Sequence, residues 1–185
     1  METAQRVGIL LVRAFPVLAI WLWGAASHCS AAPDDWPAEA TAVLQRFVGQ
    51  WRTSTQIRRV LPHAREIDTR GKATCETMLQ GRYYSFRSET VPPGDSELQI
   101  MTYDAPAAVY RQWVFTSDGY RHEAEGRWDA ATSTLRWSGK TDNASFSIDD
   151  HWATPDRLEW TLRRTDRQGR LTQTISGTVE RDAAR

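Results

Sequence analysis

The alternation of apolar and polar residues after Gly49 constrains the fold of this chain more than any other feature. Short runs rich in Thr, Val, Tyr, Phe and Trp recur from there to the carboxyl end, with turn-forming residues between them. A period of two residues is that of strands with one buried face, and no intervening segment could form a helical crossover, so neighbouring strands must be antiparallel. We predict ten strands, over 50–60, 65–78, 82–91, 96–103, 109–117, 120–128, 134–139, 145–153, 157–165 and 170–180.

A short helix precedes these strands. Pro37 follows two acidic residues, which is typical of a helix start, and Gly49 ends the helical pattern. Apolar residues recur between them at the spacing of one buried helix face, at Ala40, Val43, Leu44 and Phe47. Because closure removes exposed strand edges, the pattern predicts an all-β fold: an antiparallel barrel of about ten strands with a short N-terminal helix.

The first 32 residues have the features of a secretory signal peptide. Arg6 and Arg13 form a positive region, an apolar core follows over 15–23, and small residues at possible cleavage sites end at Ala32. We expect a signal peptide over 1–32, a single domain over 33–185, and export to the periplasm or the medium. The alternative is an uncleaved N-terminal anchor, but Arg13 and Pro16 interrupt the apolar run, so we expect no stable membrane insertion after cleavage.

Charge and cysteine content exclude further classes. The net charge is zero and no basic stripe is visible, which argues against a nucleic-acid partner. Once residues 1–32 are removed, Cys75 is the only cysteine, so an internal disulfide is excluded and we expect a buried, inert thiol. The four His residues lie far apart in sequence, and we predict no metal site. The sequence does not specify an oligomeric state.

Strand alternation places several polar side chains inside the barrel together with tryptophans. His122, Asp150 and Gln173 share faces with apolar residues of their strands. Strand 109–117 is apolar on both faces, and we expect the face with Arg111, Trp113 and Phe115 to point inward. An aromatic wall with a few polar groups is typical of a ligand site. The predicted ligand-binding set is Trp51, Arg111, Trp113, His122, Asp150 and Gln173.

Other interpretations of the same residues stay open. Arg111 could bind a ligand carboxylate or pair with Asp150, and the barrel could be filled by its own side chains. His122 and Asp150 could form an acid–base couple for hydrolysis or isomerisation, although no nucleophile motif such as G-x-S-x-G is present and a structural His is the more common case. A third hypothesis is a ligand-free interaction module with an exposed apolar patch.

Ordered motifs along the chain resemble a known family. Gly49-Gln50-Trp51, after a short helix, resembles the G-x-W start of lipocalin-like (calycin) barrels, and further segments resemble a bacterial exported family designated domain of unknown function 1579. The resemblance implies a calycin barrel with no established activity and no catalytic residues. Related haem-binding barrels use a lumenal His on a late strand, whereas we expect His151 to point outward, so no cofactor is predicted. The segments are Cys75-Glu76, Leu79-Gln80-Gly81-Arg82-Tyr83, Tyr103-Asp104, Tyr110-Arg111-Gln112-Trp113 and Gly126-Arg127-Trp128-Asp129.

Overall fold

The computed structural model describes residues 35–60, 64–91 and 94–182, so the signal peptide predicted over 1–32 lies outside the described residues. Within these ranges the fold consists of one helix and ten strands. No helix in these ranges is long and apolar enough to cross a membrane. The elements are α1 Ala38–Gln45, β1 Gly49–Arg59, β2 Arg65–Met78, β3 Tyr83–Thr90, β4 Ser96–Asp104, β5 Val109–Thr116, β6 Arg121–Asp129, β7 Thr134–Thr141, β8 Ala144–Thr154, β9 Arg157–Asp166 and β10 Leu171–Arg181.

The ten strands form one closed antiparallel barrel. Each strand pairs with the next in sequence, and β10 closes the barrel on β1 with a register that runs from Trp51 opposite Arg181 to Arg59 opposite Gln173. The predicted fold class is confirmed. All ten predicted strands are present because alternation and turn residues are local signals that closure does not override.

Helix α1 covers one end of the barrel. Its predicted buried face is confirmed, since Ala40, Val43, Leu44 and Phe47 are all buried. The Phe47 ring meets that of Trp152 edge to face at 5.2 Å between centroids, and Trp36 meets Tyr103 in the same way at 5.9 Å. Burying a side chain such as that of Phe47 contributes about 1.5–3 kcal/mol, and these contacts hold the short helix against the barrel.

Trp51 fixes the junction between the helix and the first strand. Its indole Nε1 donates to the Phe47 carbonyl at 2.8 Å. The Arg181 guanidinium lies 4.2 Å from the centroid of the Trp51 ring and donates to the Val48 carbonyl at 2.8 Å. A Cβ at Gly49 would collide with the Arg181 side chain, and its φ of +138° also favours glycine. The G-x-W sequence therefore closes this end of the barrel.

The hydrophobic core is concentrated near the helix. The largest side chains that are almost inaccessible to solvent lie there, and they include Trp51, Trp137, Tyr84, Leu44, Met101 and Leu135. Further along the same strands the inward residues become small or polar, as at Thr53, Thr55 and Ser88. Because these side chains cannot fill the lumen, the sequence leaves space in the half of the barrel away from the helix.

Cys75 and Leu171 differ in how well their burial follows from strand alternation. Cys75 is buried at 1 % exposure, as predicted, and burial raises the pKa of its thiol to about 12. Alternation along β10 would place Leu171 inward with Ile175, but Leu171 is 41 % exposed. A register shift places Leu171 opposite Thr165 but Gln173 opposite Arg164, so one extra residue turns Leu171 outward.

Candidate functional site

A cavity of about 270 Å³ occupies the barrel lumen beyond the helix. Its volume is just below the roughly 300–1,000 Å³ of common ligand pockets, so it suits a small molecule. Wider grooves on the outer surface, such as the one beside Gln56 and Asp68, are shallow and lined largely by hydroxyl-bearing and charged side chains. The apolar side chains that line the lumen are Phe47, Ile57, Phe86, Val114, Ile148, Leu158, Trp160, Leu162, Ile175 and Val179.

One wall of the cavity carries a chain of hydrogen-bonded polar side chains from β4 and β5. Gln112 Nε2 donates to Gln99 Oε1 at 2.7 Å, and Gln99 Nε2 donates to Glu97 Oε1 at 2.7 Å. Gln112 is only 3 % exposed, and its Oε1 has no hydrogen-bond partner among the described residues. Burial raises the pKa of Glu97, and the hydrogen bond from Gln99 opposes this rise. The chain of hydrogen bonds therefore leaves one buried acceptor, Gln112 Oε1, without a partner among the described residues.

Asp150 lies on another wall of the same cavity. Its Oδ2 accepts a hydrogen bond from Trp137 Nε1 at 2.8 Å, and the residue is 8 % exposed. Burial raises the pKa of this carboxyl to about 7, while the Trp137 bond opposes the rise and the charge of Asp149 adds to it. Asp150 therefore changes its charge near neutral pH, because burial disfavours the ionised form.

His122 is packed between two aromatic rings. Its ring centroid lies 4.6 Å from that of Phe146 and 5.6 Å from that of Tyr120, and neither imidazole nitrogen has a partner among the described residues. Burial, reinforced by the nearby Arg164, lowers the pKa of His122 to about 4. The imidazole is therefore neutral at physiological pH.

Arg164 joins two strands at the barrel end away from the helix. It donates from Nη2 to the Tyr120 hydroxyl at 2.8 Å, and its guanidinium lies 5.0 Å from the Tyr120 ring centroid. Tyr120 immediately precedes β6 and Arg164 belongs to β9, so the contact bridges separate parts of the rim. The Arg164 charge is thereby held at the rim and not among the residues that line the cavity.

The structure brings only some of the predicted ligand-binding residues together. His122 and Asp150 both line the cavity, but no hydrogen bond joins them. Gln173 lies opposite Arg164 at the rim, outside the lining. Trp51 lies beneath the cavity and closes the barrel end. In the described ranges, no group of three or more His, Cys, Asp or Glu residues is placed to hold a metal ion.

The expectation that Arg111 and Trp113 face the lumen is wrong. Tyr110, Gln112 and Val114 are the buried, inward residues of β5, and the alternate residues lie on the outer surface. Arg111 forms ion pairs there with Asp104 at 3.3 Å and Glu125 at 3.4 Å, so it does not pair with Asp150. Both faces of this strand are rich in apolar residues, and the more aromatic face proves to be the outer one, with Phe115 43 % exposed.

Three polar residues of the cavity lining, and Arg164 at its rim, were missed from the sequence. Glu97, Gln99 and Gln112 point inward because β4 and β5 pair with Gln99 opposite Val114 and Met101 opposite Gln112. Arg164 belongs to a charged run that looks solvent-exposed, although alternation from the buried Leu162 places it on the inner face. The inward position of Arg164 could have been predicted from alternation along β9. The inward positions of the β4 residues could be predicted only from the register between β4 and β5.

Solved structures with the same architecture share little sequence with this chain. The S-type phycobiliprotein lyase CPES from Guillardia theta aligns with a TM-score of 0.55 and 13 % identity, over 78 % of this chain and 93 % of that one. Rv2717c from M. tuberculosis aligns with a TM-score of 0.61 and 12 % identity, over 79 % and 99 %. Both likenesses show a lipocalin-like barrel fold. A comparison with curated proteins finds no match.

The sequence also matches a protein-family model directly. The match extends over residues 23–181 and therefore includes every strand of the barrel and the helix that covers its end. The chain thus belongs to the family described as proteins of unknown function, DUF1579.

Proposed function

We propose that this protein is a carrier or sensor that binds a small, partly apolar molecule in the barrel lumen. The observation that carries the proposal is the 270 Å³ cavity whose lining includes Gln112, a buried residue with no partner for its Oε1 among the described residues. An unsatisfied buried acceptor costs about 1–3 kcal/mol, and a ligand that supplies the missing hydrogen bond recovers this energy. The apolar part of the cavity offers the remaining contact area.

Two other functions receive less support. An acid–base enzyme would need His122 to act as a base, but a pKa near 4 makes its imidazole a weak base at neutral pH, and Asp150 bonds to Trp137 instead. A ligand-free interaction module predicts a barrel filled by its own side chains, whereas the lumen contains space. The outer face does expose Phe115, but a single exposed aromatic residue is common on protein surfaces.

Export is part of the same proposal. The positive residues Arg6 and Arg13, the apolar core and the small residues up to Ala32 support binding outside the cytoplasm, after removal of residues 1–32. Cell fractionation with mass spectrometry of the mature N-terminus tests this step. We expect a mature chain that begins near residue 33 in the exported fraction, and an intact chain confined to the cytoplasm would contradict export.

Native mass spectrometry of the protein purified from its own host tests the ligand proposal. We expect a non-covalent adduct on the wild type, which Thr55→Trp abolishes by placing an indole in the lumen. Ser54→Trp is the matched control, because Ser54 is the neighbouring exposed residue, and it should retain the adduct. The bare chain mass in the wild type, together with no thermal shift across a panel of lipids, haem and aromatic acids, would refute the proposal.

A further inference from the structure

We infer that the lumen selects apolar ligands that carry a neutral hydrogen-bond donor, such as a hydroxyl or an amide N–H, and rejects carboxylates. This inference rests on the proposed function and specifies the ligand class of the same cavity. It stands on the direction of the hydrogen bonds that join Gln112, Gln99 and Glu97, and on the sign of the charges in the lining.

The direction of the chain follows from its two hydrogen bonds. Gln99 turns its amide NH₂ towards Glu97, whose Oε1 accepts the hydrogen bond. The carbonyl oxygen of Gln99 then faces Gln112 and accepts a hydrogen bond from the Gln112 NH₂. The carbonyl oxygen of Gln112 is left at the buried end of the chain, where it accepts a hydrogen bond but cannot donate one. A ligand group that satisfies it must therefore be a donor.

The charges of the lining oppose an anionic ligand. Glu97 and Asp150 are both acids, and no Lys or Arg is among the described residues that line the cavity. The imidazole of His122 is packed between aromatic rings without a hydrogen-bond partner, and Arg164 is held at the rim by Tyr120. A ligand carboxylate at Gln112 would face an acceptor and share the cavity with two acidic side chains. Because Arg111 lies on the outer surface, the lumen lacks the guanidinium that an inward Arg111 would have offered to a ligand carboxylate.

Three ligands of similar shape separate the contribution of the hydrogen-bond donor to affinity from that of apolar contact. We would titrate the full-length wild type with para-ethylphenol, para-ethylfluorobenzene and para-ethylbenzoate by calorimetry at about pH 8. The first two differ mainly by the donor, and the third replaces it with a carboxylate. We expect the phenol to bind about tenfold more tightly than the fluoro compound, in line with the cost of an unsatisfied buried acceptor, and the benzoate to bind most weakly.

Two variants locate this preference. Gln112→Leu removes the acceptor and should bring the phenol and fluoro affinities to within about twofold of each other, an expectation that follows from the same hydrogen-bond argument. Glu97→Gln keeps the size of the side chain but allows the amides to reverse direction, and it should also weaken the preference, which keeps the test informative if Gln112→Leu fails to fold. Gln56→Leu on the outer face is the control and should retain the wild-type preference.

Several results would overturn the inference. Equal binding of the phenol and the fluoro compound to the wild type would show that a water molecule already satisfies Gln112. Tightest binding of the benzoate, or a donor preference that persists in Gln112→Leu, would equally contradict it. Failure of all three probes to bind overturns the inference as well. The proposed function falls separately, only if native mass spectrometry finds the bare chain and no compound stabilises the fold.

Discussion

Asp150 gives the sharpest quantitative prediction, because its environment in the barrel disfavours the ionised carboxyl. Burial raises the pKa from 3.8 to about 7. An acid whose pKa is higher in the folded than in the unfolded state costs stability as the pH rises from the unfolded value to the folded one. The cost approaches about 4 kcal/mol above pH 7, and about 2–3 kcal/mol of it develops between pH 5 and pH 8.

The substitution Asp150→Asn tests this prediction because its side-chain carbonyl can still accept the hydrogen bond from Trp137, but it does not titrate. Urea unfolding at pH 5 and pH 8 should show that the variant gains about 2–3 kcal/mol relative to the wild type over that interval. Asp149→Asn, at the neighbouring outward position, should show no comparable gain. If wild type and Asp150→Asn change their free energy of unfolding in parallel between these pH values, the burial argument is refuted.

Three further predictions concern the rest of the barrel. Gly126→Ala should destabilise the fold by about 1–3 kcal/mol in urea unfolding, because its Cβ would meet the Trp137 ring 2.5 Å away, whereas Gly94→Ala should change little. Arg111→Ala should cost less than about 1 kcal/mol and leave the affinity for para-ethylphenol within about twofold of wild type, and a larger loss of affinity would contradict its place outside the lumen. Cys75 should react with a thiol reagent only in denaturant, and rapid reaction of the folded protein would contradict its burial.

The elements of the fold were predictable from the sequence because their signals are local. Turn residues at Gly81, Gly119 and Gly169 and alternation between them define strand ends without knowledge of the partner strand. Alternation alone is enough to place Trp137, Asp150 and Leu162 inward, since one face of each strand is clearly polar. Closure into a barrel followed because a meander of this length would otherwise expose two edges.

The composition of the candidate site was less predictable because it depends on register. Strand β5 is apolar on both faces, so alternation could not decide which face is buried. Residues at equal distances before and after the turn at Asp118 face each other, so Arg111 pairs with Glu125, which alternation along β6 places on the outer face. This pairing puts Arg111 on the outer face as well, and therefore places its neighbour Gln112 inward. The space in the lumen and the missing partner of Gln112 depend on the packing of several strands, and no single segment encodes them.

We propose that the ligand binds in the lumen and not on the outer surface. Methyl chemical shifts measured by NMR during a titration with para-ethylphenol test it directly. We predict shifts at the lumen methyl groups of Ile148, Leu162 and Ile175, and none at Leu98 and Ile100 on the outer face of β4. Shifts at Leu98 and Ile100 with unchanged lumen methyl groups would contradict the account.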